Sequence, residues 1–248
     1  MPRPGPLASS QDAARNTVYR DFQLFLDSIR KNGSRSPLSA SQADDYYFPE
    51  ARLQSFFADP HHLKAIVRAF LPSHVDHQLL RKGYAKVSAI LLCLERGPDI
   101  SRFLGKPSFS DTQLPFDNRD AFVALVDDET FYDDFYQYQW KFCTPKFELS
   151  WGWEWEKERI LPFEIVKELG RGGGGQTYLI KLDREYNGLD ESRQADTFVR
   201  LGIVLLDLAV LTSPYRIMMN PTISSSSNHL TPLMPVSIGK NYILMSTL

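Results

Sequence analysis

Three observations predict a mainly α fold of the α+β class. Apolar residues recur at helical spacing from Ser10 to Pro145, and glycine and proline stand where helices would start and stop. Beyond Pro145, short β-branched and aromatic runs flank a block of four glycines, Gly172 to Gly175.

The elements follow in chain order. Residues 1–9 form a Pro-rich tail expected to be disordered. Ser9 and Ser10 offer an N-cap. Val18, Phe22, Phe25 and Ile29 then make one apolar helix face, which Lys31-Asn32-Gly33 closes. The polar run from Ser34 to Asp45 reads as a linker. A second helix is predicted over Phe48 to Phe57. Asp59 as cap and Pro60 at the first helical position start a third, with Leu63, Ile66, Val67 and Phe70 on its buried face. "SHVDHQLLRKGYAKVSAILLCLERGP" is predicted as one continuous fourth helix, lined by Val75, Leu79, Val87, Ile90, Leu91 and Leu94 and stopped by Gly97-Pro98. Asp99 begins a short helix that Gly105 ends. The Pro-, Asp- and Asn-rich stretch after it reads as a loop. Asp128 then caps a helix with Phe131, Phe135, Tyr138 and Phe142 on one face.

"WGWEWEKERILPFEIVKEL" alternates aromatic and charged residues, as an extended segment does. Phe163–Leu169 and Gln176–Leu182 read as strands joined by the glycines, and Asp183–Asp196 as a loop. "TFVRLGIVLLDLAVL" is apolar all round, so periodicity does not separate a buried strand from a buried helix. The expected organisation is a tail at 1–9, a helical domain at 10–145, a Gly-rich hairpin region at 146–190, an apolar segment at 191–212 and a poorly ordered tail at 213–248.

A chain of 248 residues with 43% hydrophobic and 23% charged residues has the composition of a soluble globular protein and can bury a sizeable core. Its net charge of −2, without a basic stripe, argues against nucleic acid as a partner. Ile203–Leu211, the longest apolar run, contains Asp207 and is too short to cross a bilayer. The N-terminus lacks the apolar centre of a secretory signal. An intracellular, cytoplasmic location with no membrane partner is expected. Cys93 and Cys143 lie in apolar surroundings without metal-ligand spacing and read as buried, reduced thiols.

Several side-chain groups invite a chemical reading and have a plainer one. His61-His62 are adjacent and point to different helix faces. His74 and His77 could share a face, but no further ligand completes a tetrahedral site with either pair, so no metal site is assigned. The carboxylates of "VDDETFYDD" fit the first turn of a helix, where negative charge complements the dipole. Trp151, Trp153 and Trp155 alternate like an edge strand and are expected to cover the junction between helices and strands.

The glycine block carries a more specific pattern. Gly170-Arg171-Gly172-Gly173-Gly174-Gly175 satisfies G-x-G-x-x-G. In dinucleotide-binding folds these glycines open a helix, but Gln176-Thr177-Tyr178-Leu179-Ile180 has strand composition. Strand, glycine loop, strand is the arrangement that covers nucleotide phosphates in protein kinases, where positions without side chains let backbone N–H groups approach the phosphates. A glycine hairpin without any ligand has the same local pattern.

"FYDDFYQYQWKFCTPKFEL", "ERILPFEIVKELGRGGGGQTYLIKL" and "REYNGL", in this order, resemble a family of fungal protein-kinase-like proteins. "YAKVSAILLCLERGPDISRFL" and Leu114–Phe116 upstream are similar to the helical region of the same family, so the resemblance spans roughly residues 45–190. It implies that Gly170, Gly172 and Gly175 are the three loop glycines over an ATP phosphate chain. Gly174 stands where that family has an aromatic residue, and Thr177 where it has the valine that packs on adenine. Both departures imply weak or absent ATP binding. The third-strand lysine, the His-Arg-Asp loop and the Asp-Phe-Gly magnesium site have no counterpart: Lys181 comes too early, and "TFVR" offers Arg200 instead. Residues 176–248 are too few for a catalytic C-lobe, although "ADTFVRLGIVLLDLAVL" is faintly similar to the large C-lobe helix. The resemblance therefore implies a truncated, catalytically inactive kinase-like serine/threonine protein. The alternative is a helical module that binds a protein partner or regulates it, with a vestigial hairpin.

Overall fold

The computed structural model describes residues 10–35, 44–72, 76, 78–148, 153–172, 175–188, 198–204, 215–219 and 242–247. The fold is mainly helical, α+β, and divides into two compact units: residues 1–31 with 47–143, and residues 32–46 with 144–248.

The first unit holds the helices. α1 (Ser10–Ile29) buries Val18, Phe22, Leu26 and Ile29. Leu26 is fully buried near the C-terminal end of the helix, while Phe25 is half-buried and meets the Phe56 ring at 4.5 Å. α2 (Glu50–Ala58) ends at Asp59, whose carboxylate accepts a hydrogen bond from His61 N at 2.8 Å and so opens α3 (Pro60–Phe70), with Pro60 in the first turn. Leu63, Ile66, Ala69 and Phe70 form its buried face, and Val67 is half-buried.

The continuous fourth helix expected from the sequence is interrupted. Its described part consists of α4 (Gln78–Arg81) and α5 (Ala85–Cys93). Gly83 between them has φ +152°, outside the helical region. The start of α5 is completed from a distance: Asp111 accepts from Lys86 N at 3.1 Å and Val87 N at 2.9 Å, while Asp111 N donates to Gly83 O at 2.7 Å. A carboxylate on free N-terminal amides of a helix is a stabilising arrangement. It does the work that a local cap residue would do, which is why hydrophobic spacing alone ran the two helices together. α5 is buried nearly all round, with Val87, Ala89, Ile90 and Leu91 fully enclosed.

α5 ends in a Schellman turn. Arg96 N donates to Leu91 O at 2.7 Å and Glu95 N to Leu92 O at 3.2 Å, with Glu95 at φ +56°. A 3₁₀ turn (Gly97–Asp99) leads into α6 (Ile100–Phe103), and Gly105 follows at φ +76°. Beyond it, where a loop is expected, lies a further helix, α7 (Arg119–Val126), capped by Asn118 accepting from Ala121 N at 3.0 Å. Asp127 ends it in the left-handed region. Asp128 then caps α8 (Glu129–Gln139), accepting from Phe131 N at 3.1 Å.

Aromatic rings fill the space between the last helices. Phe122 and Phe135 are fully buried with centroids 4.9 Å apart, and Phe103 and Phe116 stack on Phe135 at 6.1 and 5.6 Å. Gln139 is fully buried beside them and clamps one peptide: Phe116 N donates to its Oε1 at 2.7 Å, and its Nε2 donates to Phe116 O at 3.3 Å. Both polar atoms of the amide are thereby satisfied, as burial requires.

The chain leaves and re-enters the helical unit at β1 (Lys31–Asn32) and β2 (Tyr46–Tyr47). The segment read as a linker thus belongs to the second unit, where Ser34 exchanges two backbone hydrogen bonds with Leu161, at 3.0 and 2.8 Å. In that unit β3 (Phe147–Glu148) pairs in parallel with β7 (Asn187–Gly188). β4 (Trp153–Trp155), β5 (Phe163–Gly172), β6 (Gly175–Leu182), β8 (Phe198–Val204), β9 (Tyr215–Met219) and β10 (Tyr242–Thr247) form one sheet, in the order β4-β9-β10-β8-β6-β5. All its pairings are antiparallel except β9 with β10. Phe147, Ile160, Phe163, Ile180 and Leu182 are buried in this unit.

The structure extends three of these readings. The expected hairpin is present and is two strands of a larger sheet. The apolar run for which periodicity left strand and helix open is extended over Phe198–Val204, and two strands, β9 and β10, lie within the stretch read as a poorly ordered tail. The apolar run at 198–204 is rich in β-branched residues, and neighbours on both sides, β6 and β10, supply hydrogen bonds that a local reading cannot foresee.

Candidate functional site

The glycine hairpin is the candidate site. β5 and β6 pair from Phe163↔Leu182 to Gly172↔Gly175. The four residues singled out from the sequence fall into two cross-strand pairs, Gly170 opposite Thr177 and Gly172 opposite Gly175. Gly173 and Gly174, expected to form a loose tip, lie outside the described residues. The block therefore opens a strand, and the helix that a dinucleotide-binding fold would place there does not occur: Gly175–Leu182 is extended.

Two bulges shape the first strand. Pairing skips from Ile165 to Lys167 and from Glu168 to Gly170, so Val166 and Leu169 have no partner on β6. An extra residue on one strand bends it and increases its twist. β5 is also the edge of the sheet, and Glu164 to Gly170 are all exposed, including the large apolar residues Ile165, Val166 and Leu169.

β6 pairs on its other side with β8, which makes β5, β6 and β8 a three-stranded antiparallel meander. Arg200 stands on the third strand, opposite Leu179, and Gly202 stands opposite Thr177. Gly170, Thr177 and Gly202 therefore form a row across three strands in which only the middle position bears a side chain. Gly202 was not found from the sequence. Its signal was a lone glycine inside an apolar run, which suggests close approach of another backbone once the run is known to be a strand.

The other candidate groups have structural roles. Asp128 receives Arg96 Nη1 at 2.8 Å, Thr130 Oγ1 at 2.8 Å and Phe131 N, and these donors, the guanidinium first, hold its carboxyl down at about 2. Arg96 also binds Asp99 at 2.6 Å and lies over the Phe131 ring at 4.1 Å, joining the end of α5 to the start of α8. Asp133 pairs with Arg119 at 2.6 Å. His62 stacks on Phe56 at 4.1 Å with Nδ1 3.7 Å from Asp59. His74, His77 and Trp151 lie outside the described residues, and the packing expected of Trp153 and Trp155 concerns side chains outside them. No group of three or more His, Cys, Asp or Glu residues is placed to hold a metal ion among the described residues. Cys143 is buried, and neither it nor Cys93 is in a disulfide. Burial of the Cys93 thiol pushes it up to about 12.

No helix among the described residues is long and apolar enough to cross a membrane. No family model matches the chain, and no curated protein and no solved structure matches it.

Proposed function

We propose that the chain is a protein-kinase-like protein whose glycine hairpin admits the phosphates of ATP weakly and which does not transfer phosphate. Gly170 carries this reading. A Cβ at that position would meet nothing within 4 Å, and its backbone lies outside the left-handed region that favours glycine. Glycine inside a strand lowers stability relative to residues with a side chain. Neither packing nor conformation therefore explains why position 170 has none, whereas close approach of a phosphate chain to backbone N–H groups does. The meander supports the same reading, because a kinase-like sheet sets a third strand beside the hairpin. Here that strand carries Arg200 and no lysine. An arginine fork grips an oxyanion differently from the point charge of lysine, and the elements that hold magnesium and the catalytic base have no counterpart in the sequence.

Hydrogen exchange at Gly170–Gly175 during an ATP titration tests the binding half. Saturable protection is expected at millimolar ATP, and Gly170→Val should remove it without lowering the urea midpoint. Absence of protection, or protection that survives Gly170→Val, would sink it. The catalytic half predicts no transfer to a generic Ser/Thr substrate above background with magnesium and ATP. Turnover that Gly172→Val abolishes would refute that half.

A further inference from the structure

In the helical unit, α2 and α4 enclose a groove of about 520 Å³. Gln54, Ser55 and Ala58 line it from α2, and Gln78, Arg81 and Lys82 from α4 and the residue after it. No carboxylate lines it. Its walls are fixed from behind. Leu80 is fully buried and anchors the short α4, which leaves Gln78, Arg81 and Lys82 outward. Leu53, Phe56 and Phe57 anchor α2 in the same way. Lys86 in the first turn of α5 is neutralised by Glu50 at 2.6 Å, and Asp76 is engaged by Gln78 N at 2.9 Å. Arg81 and Lys82, by contrast, form no ion pair among the described residues.

We propose that this groove binds an anionic segment of a polypeptide, with a phosphate or carboxylate held by Arg81 and Lys82. Two adjacent cations in a concavity, with no ion-pair partner among the described residues, concentrate anions there. The guanidinium supplies a planar fork and the ammonium a rotatable point charge, which together satisfy an oxyanion. The carboxamides of Gln54 and Gln78 each donate and accept, so they match peptide N–H and C=O groups. The groove is far larger than one free oxyanion needs, so the charged group is carried by a longer body. This site is independent of the glycine hairpin.

The test is fluorescence polarisation on the full chain with three short, degenerate peptide pools: central phosphoserine, glutamate or serine. Arg81→Glu/Lys82→Glu is compared with Lys64→Glu/Arg68→Glu, a reversal at two exposed cations of α3 outside the groove. Saturable binding of an anionic pool is expected, weakened at least tenfold by the first double variant and unchanged by the second. A tenfold preference for phosphoserine over glutamate identifies phosphate as the group bound, and equal binding identifies charge alone; both uphold the site. Saturation by inorganic phosphate without binding of either anionic pool overturns it. So do equal binding of the serine pool and equal losses in the two double variants. Gly170→Val should leave the binding unchanged, which separates this result from any failure of the hairpin reading.

Discussion

Gly97→Ala tests how tightly the end of α5 is packed. A Cβ built at Gly97 falls 2.6, 2.7 and 2.8 Å from three carbons of the Phe70 ring. Carbon pairs reach their optimum at about 3.5–4.0 Å, so the ring must retreat by roughly 1 Å. It has little room to do so. Phe70 is 7% exposed, and the Tyr19 ring lies 5.0 Å from it. Tyr19 is itself held at both sides of the turn, donating to Glu95 O at 2.9 Å and accepting from Gly97 N at 3.1 Å. Moving the ring strains those bonds or pushes Gly97 outward. Overpacking of this kind costs about 1–3 kcal/mol. Urea unfolding should show a lower midpoint at unchanged slope. Two other glycines calibrate the measurement. Gly105→Ala meets no atom within 4 Å but has φ +76°, so it should cost about 1–2 kcal/mol from conformation alone. Gly170→Ala meets neither obstacle and should lie within about 0.5 kcal/mol of wild type. Phe70→Leu should recover part of the Gly97→Ala loss when the two are combined, because it removes the ring edge. A Gly97→Ala loss no larger than that of Gly170→Ala, or full additivity with Phe70→Leu, would refute the reasoning.

Other expectations concern the same unit. Leu91→Ala removes a fully buried side chain and should cost roughly 2–5 kcal/mol in urea unfolding. Glu95→Gly should stabilise by about 0.5–1 kcal/mol, since it relieves a left-handed residue at the helix end. Gln139→Leu leaves the buried Phe116 N–H without its acceptor and should cost roughly 1–3 kcal/mol. Two carboxylates titrate with opposite sign. Asp128 is lowered from 3.8 to about 2, so its contribution is present above 3.8 and lost as pH falls toward 2. Asp111 is raised by burial, against the amides of Val87 and Lys86; it accepts their hydrogen bonds in either form, but the increment of stability that the shift represents is present below the ordinary value and lost as pH rises through the raised one. Stability measured against pH should therefore lose a rising slope in Asp128→Asn and a falling slope in Asp111→Asn; slopes of the same sign would contradict the assignment.

What the sequence made legible follows from how local its causes are. Asp59-Pro60 and Asp128 act on amides two or three residues away, and both helix starts are where the sequence places them. The strands around the glycines are set by β-branched and aromatic residues on either side, and their pairing continues to Gly172↔Gly175. The break before α5 was invisible because its cap comes from Asp111, and α7 was hidden because Asn118 follows a stretch rich in loop residues. In the hairpin, the facing of Gly170 with Thr177 depends on two bulges, and no composition rule locates a bulge. Gly202 joined the row only through pairing between β6 and β8, which is long-range by nature.

The bridge between Ser34 and Leu161 has a consequence for how the chain is made. The ribosome releases Ser34 well over a hundred residues before Leu161, and at roughly 5–20 residues per second that gap is on the order of ten seconds. During that interval the segment from Asn32 to Tyr46 has emerged, but the rest of its unit has not been synthesised. The helices from Glu50 to Gln139 emerge meanwhile, so the nascent chain must keep residues 32–46 open for a partner still to come. A cut at residue 145, the natural place to separate helices from strands, would strand that segment on the wrong half. An expressed C-terminal fragment should therefore gain order when a peptide of residues 32–46 is added in trans.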